Sequence, residues 1–284
     1  MPKILRLKPN IPELFDSLGP LPGRFAVDGR EPATDSPEPA AVPVPVCSLW
    51  AAESFDFWAD RTQESLLDGA EKRLLLLTTR QWGKSTVAAL RALWQALFFP
   101  GSLILIVGPV ANQSCELTRK IYHFAGRLGI PLHGGGAGQR AAVFPNGSRI
   151  VGLSEMPENV RGYSAPSLIL IDEAAFYDGD EILESIFQML ATQPAGVMWI
   201  MSSSGRQTGF FYNLWSDPSG PWRKVKVSAV EIPDRISPEF LAEQRKRNPE
   251  KFRREYLCEF LTDDAALFSR ESLNSLLSDQ VEPL

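Results

Sequence analysis

The stretch Thr78-Thr79-Arg80-Gln81-Trp82-Gly83-Lys84-Ser85-Thr86 gathers groups suited to holding phosphate. Gly83 lets the backbone come close to an anion, and Lys84 carries a point charge long enough to reach terminal phosphates. The Ser85 hydroxyl suits Mg2+, and free amides at the helix start, around Ser85 and Thr86, can hold phosphate oxygens. Arg80 is a second cation. It is either an ordinary surface arginine or a group that stabilises charge developing during γ-phosphoryl transfer. Gln81 belongs to the same turn. Trp82 reads as a packing anchor for the loop, with an adenine platform as the alternative. The pattern GxxxxGK[ST] would place glycine where Thr78 stands, so the turn must differ from the common one.

A second group lies 88 residues beyond Lys84, at Ile171-Asp172-Glu173-Ala174. An aspartate at the carboxyl end of a buried strand can hold Mg2+, and an adjacent glutamate can orient or deprotonate an attacking water. The plainer reading is a pair of acidic helix caps. Further on, Ser202, Ser203 and Ser204 precede Gly205; they form either a phosphate-sensing edge or a simple turn. Upstream, Gln63 offers an amide able to match an adenine edge, against the alternative of an exposed helix glutamine. ATP with Mg2+ is the ligand pair these types imply together.

The elements around these residues alternate. Leu74 to Thr78, Ser102 to Gly108 and Leu168 to Ile171 are continuous apolar runs, as expected of strands covered on both faces. A helix is predicted from Ser85 to Phe99, stopped by Pro100 and Gly101, and others over Asn112 to Leu128 and Glu181 to Ala191. Val197 to Ser202 reads as a fourth strand, GFFYNLW as the start of a helix, and WRKVKVSA as a more exposed strand. Asn146-Gly147 between short apolar runs signals a hairpin near the sheet edge. Two polar helices, over Ser237 to Arg247 and Pro249 to Leu257, close the body. The expected class is α/β, a P-loop NTPase of the RecA/ASCE-like kind, with a mostly parallel sheet and helices on both faces.

Composition bounds the rest. Apolar residues are 44% of 284, enough for a substantial core, and the net charge of −5 announces no global affinity for nucleic acid. Cys47, Cys115 and Cys258 are widely spaced, without metal or disulfide spacing, and His123 and His133 are too few for a histidine metal site. No apolar run reaches membrane-spanning length, and the start carries no secretion pattern. Residues 1–46 are read as a proline-rich arm or linker, 47–260 as the catalytic domain, and 261–284 as a linker segment.

Together, TTRQWGKST, VRGYSAPSLILIDEAAF, MSSSGRQTGFFYNLW and REYLCEFLTDDAALF resemble the large terminase subunit of tailed bacteriophages, over roughly Phe55 to Phe268. The resemblance implies an ATPase motor that moves double-stranded DNA into a procapsid. It makes Arg80 a cis arginine finger, Lys84 and Ser85 the phosphate and Mg2+ groups, Asp172 the Walker B aspartate and Glu173 the catalytic glutamate. It makes Ser202 to Ser204 the coupling run and Gln63 the adenine reader. Loops in that family often lack the first glycine, so Thr78 is no departure. The implied partners are double-stranded DNA, the portal protein, the small terminase subunit and ring-forming copies of the chain, with a monomer expected in isolation. The implied setting is the cytoplasm of an infected bacterium, transiently at the portal.

The family's RNase H-like nuclease carboxylates lie beyond the ATPase domain, and only 24 residues follow Phe260, so no nuclease activity is expected. A helicase or translocase outside packaging, and a non-catalytic scaffold, are the competing readings. Arg245, Lys246, Arg247, Lys251, Arg253 and Arg254 form a basic cluster, read either as a solvated surface or as a DNA or portal contact.

Overall fold

The structure, a computed structural model, describes residues 44–108, 111–132, 141–154, 162–177, 181–191 and 193–261. Most of the expected N-terminal arm lies outside these residues, as do His133 and the segment bearing Asp263 and Asp264. The described chain forms a seven-stranded sheet. Its strands are β1 Arg73–Thr78, β2 Leu103–Gly108, β3 Ala141–Val143, β4 Arg149–Ser154, β5 Leu168–Ile171, β6 Val197–Ser202 and β7 Arg223–Val227. The order is β3-β4-β2-β5-β6-β1-β7, parallel throughout except for β3 against β4. This is the α/β class expected from the alternation of apolar runs and helical segments.

The helices are α1 Cys47–Phe55, α2 Arg61–Leu67, α3 Lys84–Phe98, α4 Ala111–Arg127, α5 Glu181–Ala191, α6 Gly209–Ser216, α7 Pro238–Arg247 and α8 Pro249–Glu255. They divide between the two faces of the sheet. Leu74 and Leu76 of β1 pack in one cluster with Trp50, Leu66, Leu90 and Ile121 from α1 to α4, and with Leu241 and Phe252 from α7 and α8. Leu75 and Leu77 point the other way, into a cluster with Ile186 and Leu190 of α5 and Phe210 and Phe211 of α6. Successive residues of a strand face opposite sides, so a strand covered on both must be apolar at every position. That is why Leu74–Leu77 is an unbroken run.

The expected hairpin is present, with Asn146-Gly147 in its turn and Gly147 at φ 79°. Asn146 is also buried under α3: its amide nitrogen donates to Ala96 O at 2.8 Å and Leu97 O at 3.1 Å. These are carbonyls of the last helical turn, which lack partners within the helix. One residue thus makes the turn and closes the helix that the phosphate-type loop begins.

Candidate functional site

Strands β5, β6 and β1 are neighbours in the sheet and run in the same direction, so their carboxyl ends open on one edge. Ile171 pairs with Ile200 and Leu77 with Ser202, so β6 and β1 end nearly side by side and β5 stops two residues before the end of β6. Asp172 and Glu173 follow β5, Ser203 and Ser204 follow β6, and the loop Thr79–Gly83 follows β1. Strand order also switches here: from β1 the chain crosses over what will become β5 and β6 to form β2. Ligands of open α/β sheets bind at such a switch point, outside the carboxyl ends of the strands.

The missing glycine is resolved by where the chain turns. Thr78 remains in β1, paired with Val227, and takes no part in the turn. The turn is made instead by Gln81 at φ 67° and Gly83 at φ 103°, both left-handed. Only glycine takes the second value without strain. A side chain there would also press on Gln63 Nε2 at 3.2 Å and Arg235 Nη1 at 3.4 Å. Helix α3 begins directly at Lys84, so its free amide groups face the loop.

Lys84 Nζ lies 2.7 Å from Asp172 Oδ1 and 2.9 Å from Glu173 Oε1. Burial alone would lower the Lys84 ammonium, but the charges and hydrogen bonds of Asp172 and Glu173 outweigh it and hold it above its ordinary value. Glu173 is itself left-handed at φ 54°, the sort of strain that persists where surrounding contacts impose it. Its other oxygen, Oε2, lies 3.4 Å from Ser203 Oγ. Ser202 Oγ accepts from Ala175 N at 3.0 Å, tying β6 to the turn that carries the acids. Ser204 donates to Arg254 O in α8. The three serines are therefore differently employed, facing the acid turn, the acid itself and the C-terminal helices.

Arg80 stands apart from this cluster. Its side chain is 70% exposed, and its Nε pairs with Glu255 Oε2 of α8 at 2.7 Å. The neighbouring Thr79 hydroxyl donates to Glu255 O at 3.0 Å. Gln63 is fully buried, unlike the exposed glutamine of the plainer reading, and both ends of its amide are engaged. Nε2 donates to Trp82 O at 2.9 Å, and Oε1 accepts from Asp60 N at 3.1 Å and Arg235 Nη2 at 3.1 Å. It anchors the loop here. Trp82 is buried in the core, as the packing-anchor reading has it, with its indole N–H donated to Asp60 Oδ2 at 3.2 Å.

Between these groups lies a cleft of about 230 Å3, lined by loop residues together with Thr78, Lys120, Glu173 and Ser203. Pockets for whole small-molecule ligands run to roughly 300–1,000 Å3, so this one suits a phosphate chain better than an entire nucleotide. Asp60, Lys120, Arg235 and Glu255 were not anticipated. Asp60 alone had a local signal, as the N-cap of a D-x-x-Q capping box with Gln63. The basic cluster spreads over α7 and α8, with Arg253 paired to Glu259 at 2.6 Å.

A family model described as the terminase large subunit, T4likevirus-type, N-terminal, matches residues 75–275. No curated protein matches. Among solved structures, the Thermus phage P74-26 large terminase ATPase domain superposes with a TM-score of 0.61 at 21% identity, over 74% of this chain and 97% of that one. The HK97 bacteriophage large terminase gives 0.62 at 15%, over 72% and 51%. A large terminase from a thermophilic bacteriophage, in complex with ADP, gives 0.57 at 8%, over 72% and 54%. At such identities the likeness concerns the fold. This chain spans about half the length of the latter two chains.

Proposed function

The chain belongs to the T4-like-virus type of terminase large subunit N-terminal domains, and on that premise we propose that it hydrolyses ATP to drive double-stranded DNA into a procapsid. The observation that carries the reading is the meeting of Lys84, Asp172, Glu173 and Ser203 at three adjacent strand ends beside a helix start.

The donor set fits Mg2+. Among the described residues no group of three or more His, Cys, Asp or Glu gathers around one point. Mg2+ does not ask for one, since it keeps waters and takes one or two carboxylates with substrate phosphates. Asp172 and the Ser85 hydroxyl would hold it. Its chemistry is to neutralise charge on the phosphate oxygens.

In this mechanism Lys84 exchanges partners. While it bridges Asp172 and Glu173, its ammonium occupies the carboxylate oxygen that would accept a proton. When phosphate oxygens draw the ammonium away, Glu173 Oε1 is released beside the γ-phosphate and takes the proton of the attacking water. Ser203 positions the Glu173 carboxylate during that exchange. Arg80, already on the cleft wall, must leave Glu255 to turn its charge onto the transferring phosphoryl group, which it stabilises. Gln63 holds the Trp82 carbonyl and so the loop, with adenine recognition as its further role when nucleotide is bound.

Movement would pass through the serine run. Leu261 N donates to Gly205 O at 3.3 Å and Gln207 N to Leu261 O at 3.2 Å, so the segment after the serines is paired with the chain leaving α8. A shift at Ser203 would reach the C-terminal helices directly. DNA, the portal protein, the small subunit and ring-forming copies are the partners this work requires, at the portal in the infected cell's cytoplasm. The isolated chain is expected to be a monomer and a slow ATPase. The test is Mg2+-dependent phosphate release by the purified chain and its Lys84→Ala variant. Slow turnover abolished in the variant supports the reading, and a folded chain that neither binds nor hydrolyses ATP ends it.

A further inference from the structure

We propose that Lys120, on helix α4, is a third phosphate-binding cation of the cleft and, among the described residues, the one of the three that holds no carboxylate when a polyphosphate arrives. This rests on the nucleotide reading above. Among the described residues, three cationic side chains line the cleft: Arg80 from the loop, Lys84 from the start of α3, and Lys120 from α4. Two are occupied. Lys84 is shared between Asp172 and Glu173, and Arg80 is paired with Glu255. Among the described residues Lys120 has no carboxylate partner. Its ammonium lies 3.5 Å from Thr86 Oγ1, a neutral hydroxyl on the first turn of α3.

The placement is held by packing. Leu117, Ile121 and Ala125 of α4 are buried at helical spacing and seat the helix on the sheet. Tyr122, on the same helix, donates its hydroxyl to Ala141 O at 2.9 Å. Lys120, half-buried beside that stripe, is aimed at the amide-rich start of α3. A partly desolvated cation next to a helix N-terminus is a poor arrangement without an anion, because both carry positive potential toward the same space. A polyphosphate chain satisfies both. The other two cations must first give up carboxylates, so Lys120 contributes to capture and the loop cations to the hydrolytic step. Its substitution should therefore change affinity far more than the rate at saturation.

The experiment measures ATP, ADP and AMP binding by calorimetry, and phosphate release at saturating ATP, for the full chain and its Lys120→Ala, Lys120→Gln and Lys120→Arg variants. Thermal melts accompany each, and the Gln variant keeps part of the stem if Ala loosens α4. Loss of a charge-assisted contact predicts ATP and ADP affinities weakened about tenfold or more, with unchanged melting and kcat within about threefold. AMP should respond least, and Lys120→Arg should restore most of the affinity. Wild-type affinity in folded Lys120→Ala and Lys120→Gln overturns this inference while leaving the nucleotide reading intact. A folded wild-type chain that binds no ATP overturns both.

Discussion

Lys84 and Arg80 stand four residues apart, one at the start of α3 and the other in the loop before it, and are held by different parts of the molecule. Lys84 is nearly enclosed and tied to the acids that directly follow β5. Arg80 is largely exposed and tied to α8, a helix of the C-terminal part. The first arrangement is rigid because both partners directly follow a fully buried strand. The second depends on how α8 lies against the loop. In the proposed mechanism the loop binds phosphate through one cation and responds to it through the other, and this division serves both. One cation is positioned by the core, and the other is held at the surface by a pair with α8.

If that division is right, Arg80→Ala should be the most damaging change on the exposed side. Turnover should fall about 10²–10³-fold, as for removal of a group aimed at developing charge, while ATP affinity changes only a few-fold. Steady-state kinetics with parallel binding checks it, and an equal loss of affinity would make Arg80 a plain phosphate anchor. Arg235→Ala comes next. Arg235 donates to Trp82 O and shares Gln63 and Asp60. Releasing the loop carbonyl should raise KM for ATP by about tenfold, with partial rescue by lysine. A kcat effect with constant KM would mean that this network serves chemistry and not loop position.

Smaller again is Glu255→Gln. The Arg80–Glu255 pair is mostly exposed on the arginine side, and such pairs contribute about 0–1 kcal/mol. Basal turnover should therefore rise by no more than about fivefold, read in the same assay, as Arg80 is released. A fall would contradict the withheld-cation account. The smallest effect is that of pH. Lys84 is raised above 10.5, so its contribution to stability is complete below that value and is lost as pH rises through the higher folded value. Melting temperature should show no Lys84-dependent change from pH 6 to 9. Above about pH 10.5, wild type should lose stability that Lys84→Met lacks throughout.

The two sides of the site also differ in how readable they were. Lys84, Asp172, Glu173 and the serines are announced locally, because each follows a continuous apolar strand and their types match phosphate chemistry. The sheet was readable for the same reason: burial on both faces leaves no polar position in Leu74–Leu77 or Leu168–Ile171. Glu255, Arg235 and Lys120 come to the loop by tertiary packing from distant segments, the Arg235–Asp60 contact spanning 175 residues. Each sits among other charged residues with no pattern to single it out. Gln63 lay between these cases. Its type marks it as a candidate, but its burial does not show in the sequence, because α2 is too short for its apolar periodicity to indicate which face is covered.

The most direct test of the central claim is to measure ATP binding and single-turnover hydrolysis side by side for wild type and Glu173→Gln. Removing one carboxylate charge loosens the hold on Lys84 and takes away the base. The account therefore predicts ATP affinity equal to or tighter than wild type, with hydrolysis reduced at least about a hundredfold. Unchanged hydrolysis in Glu173→Gln, with ATP bound normally, would contradict it.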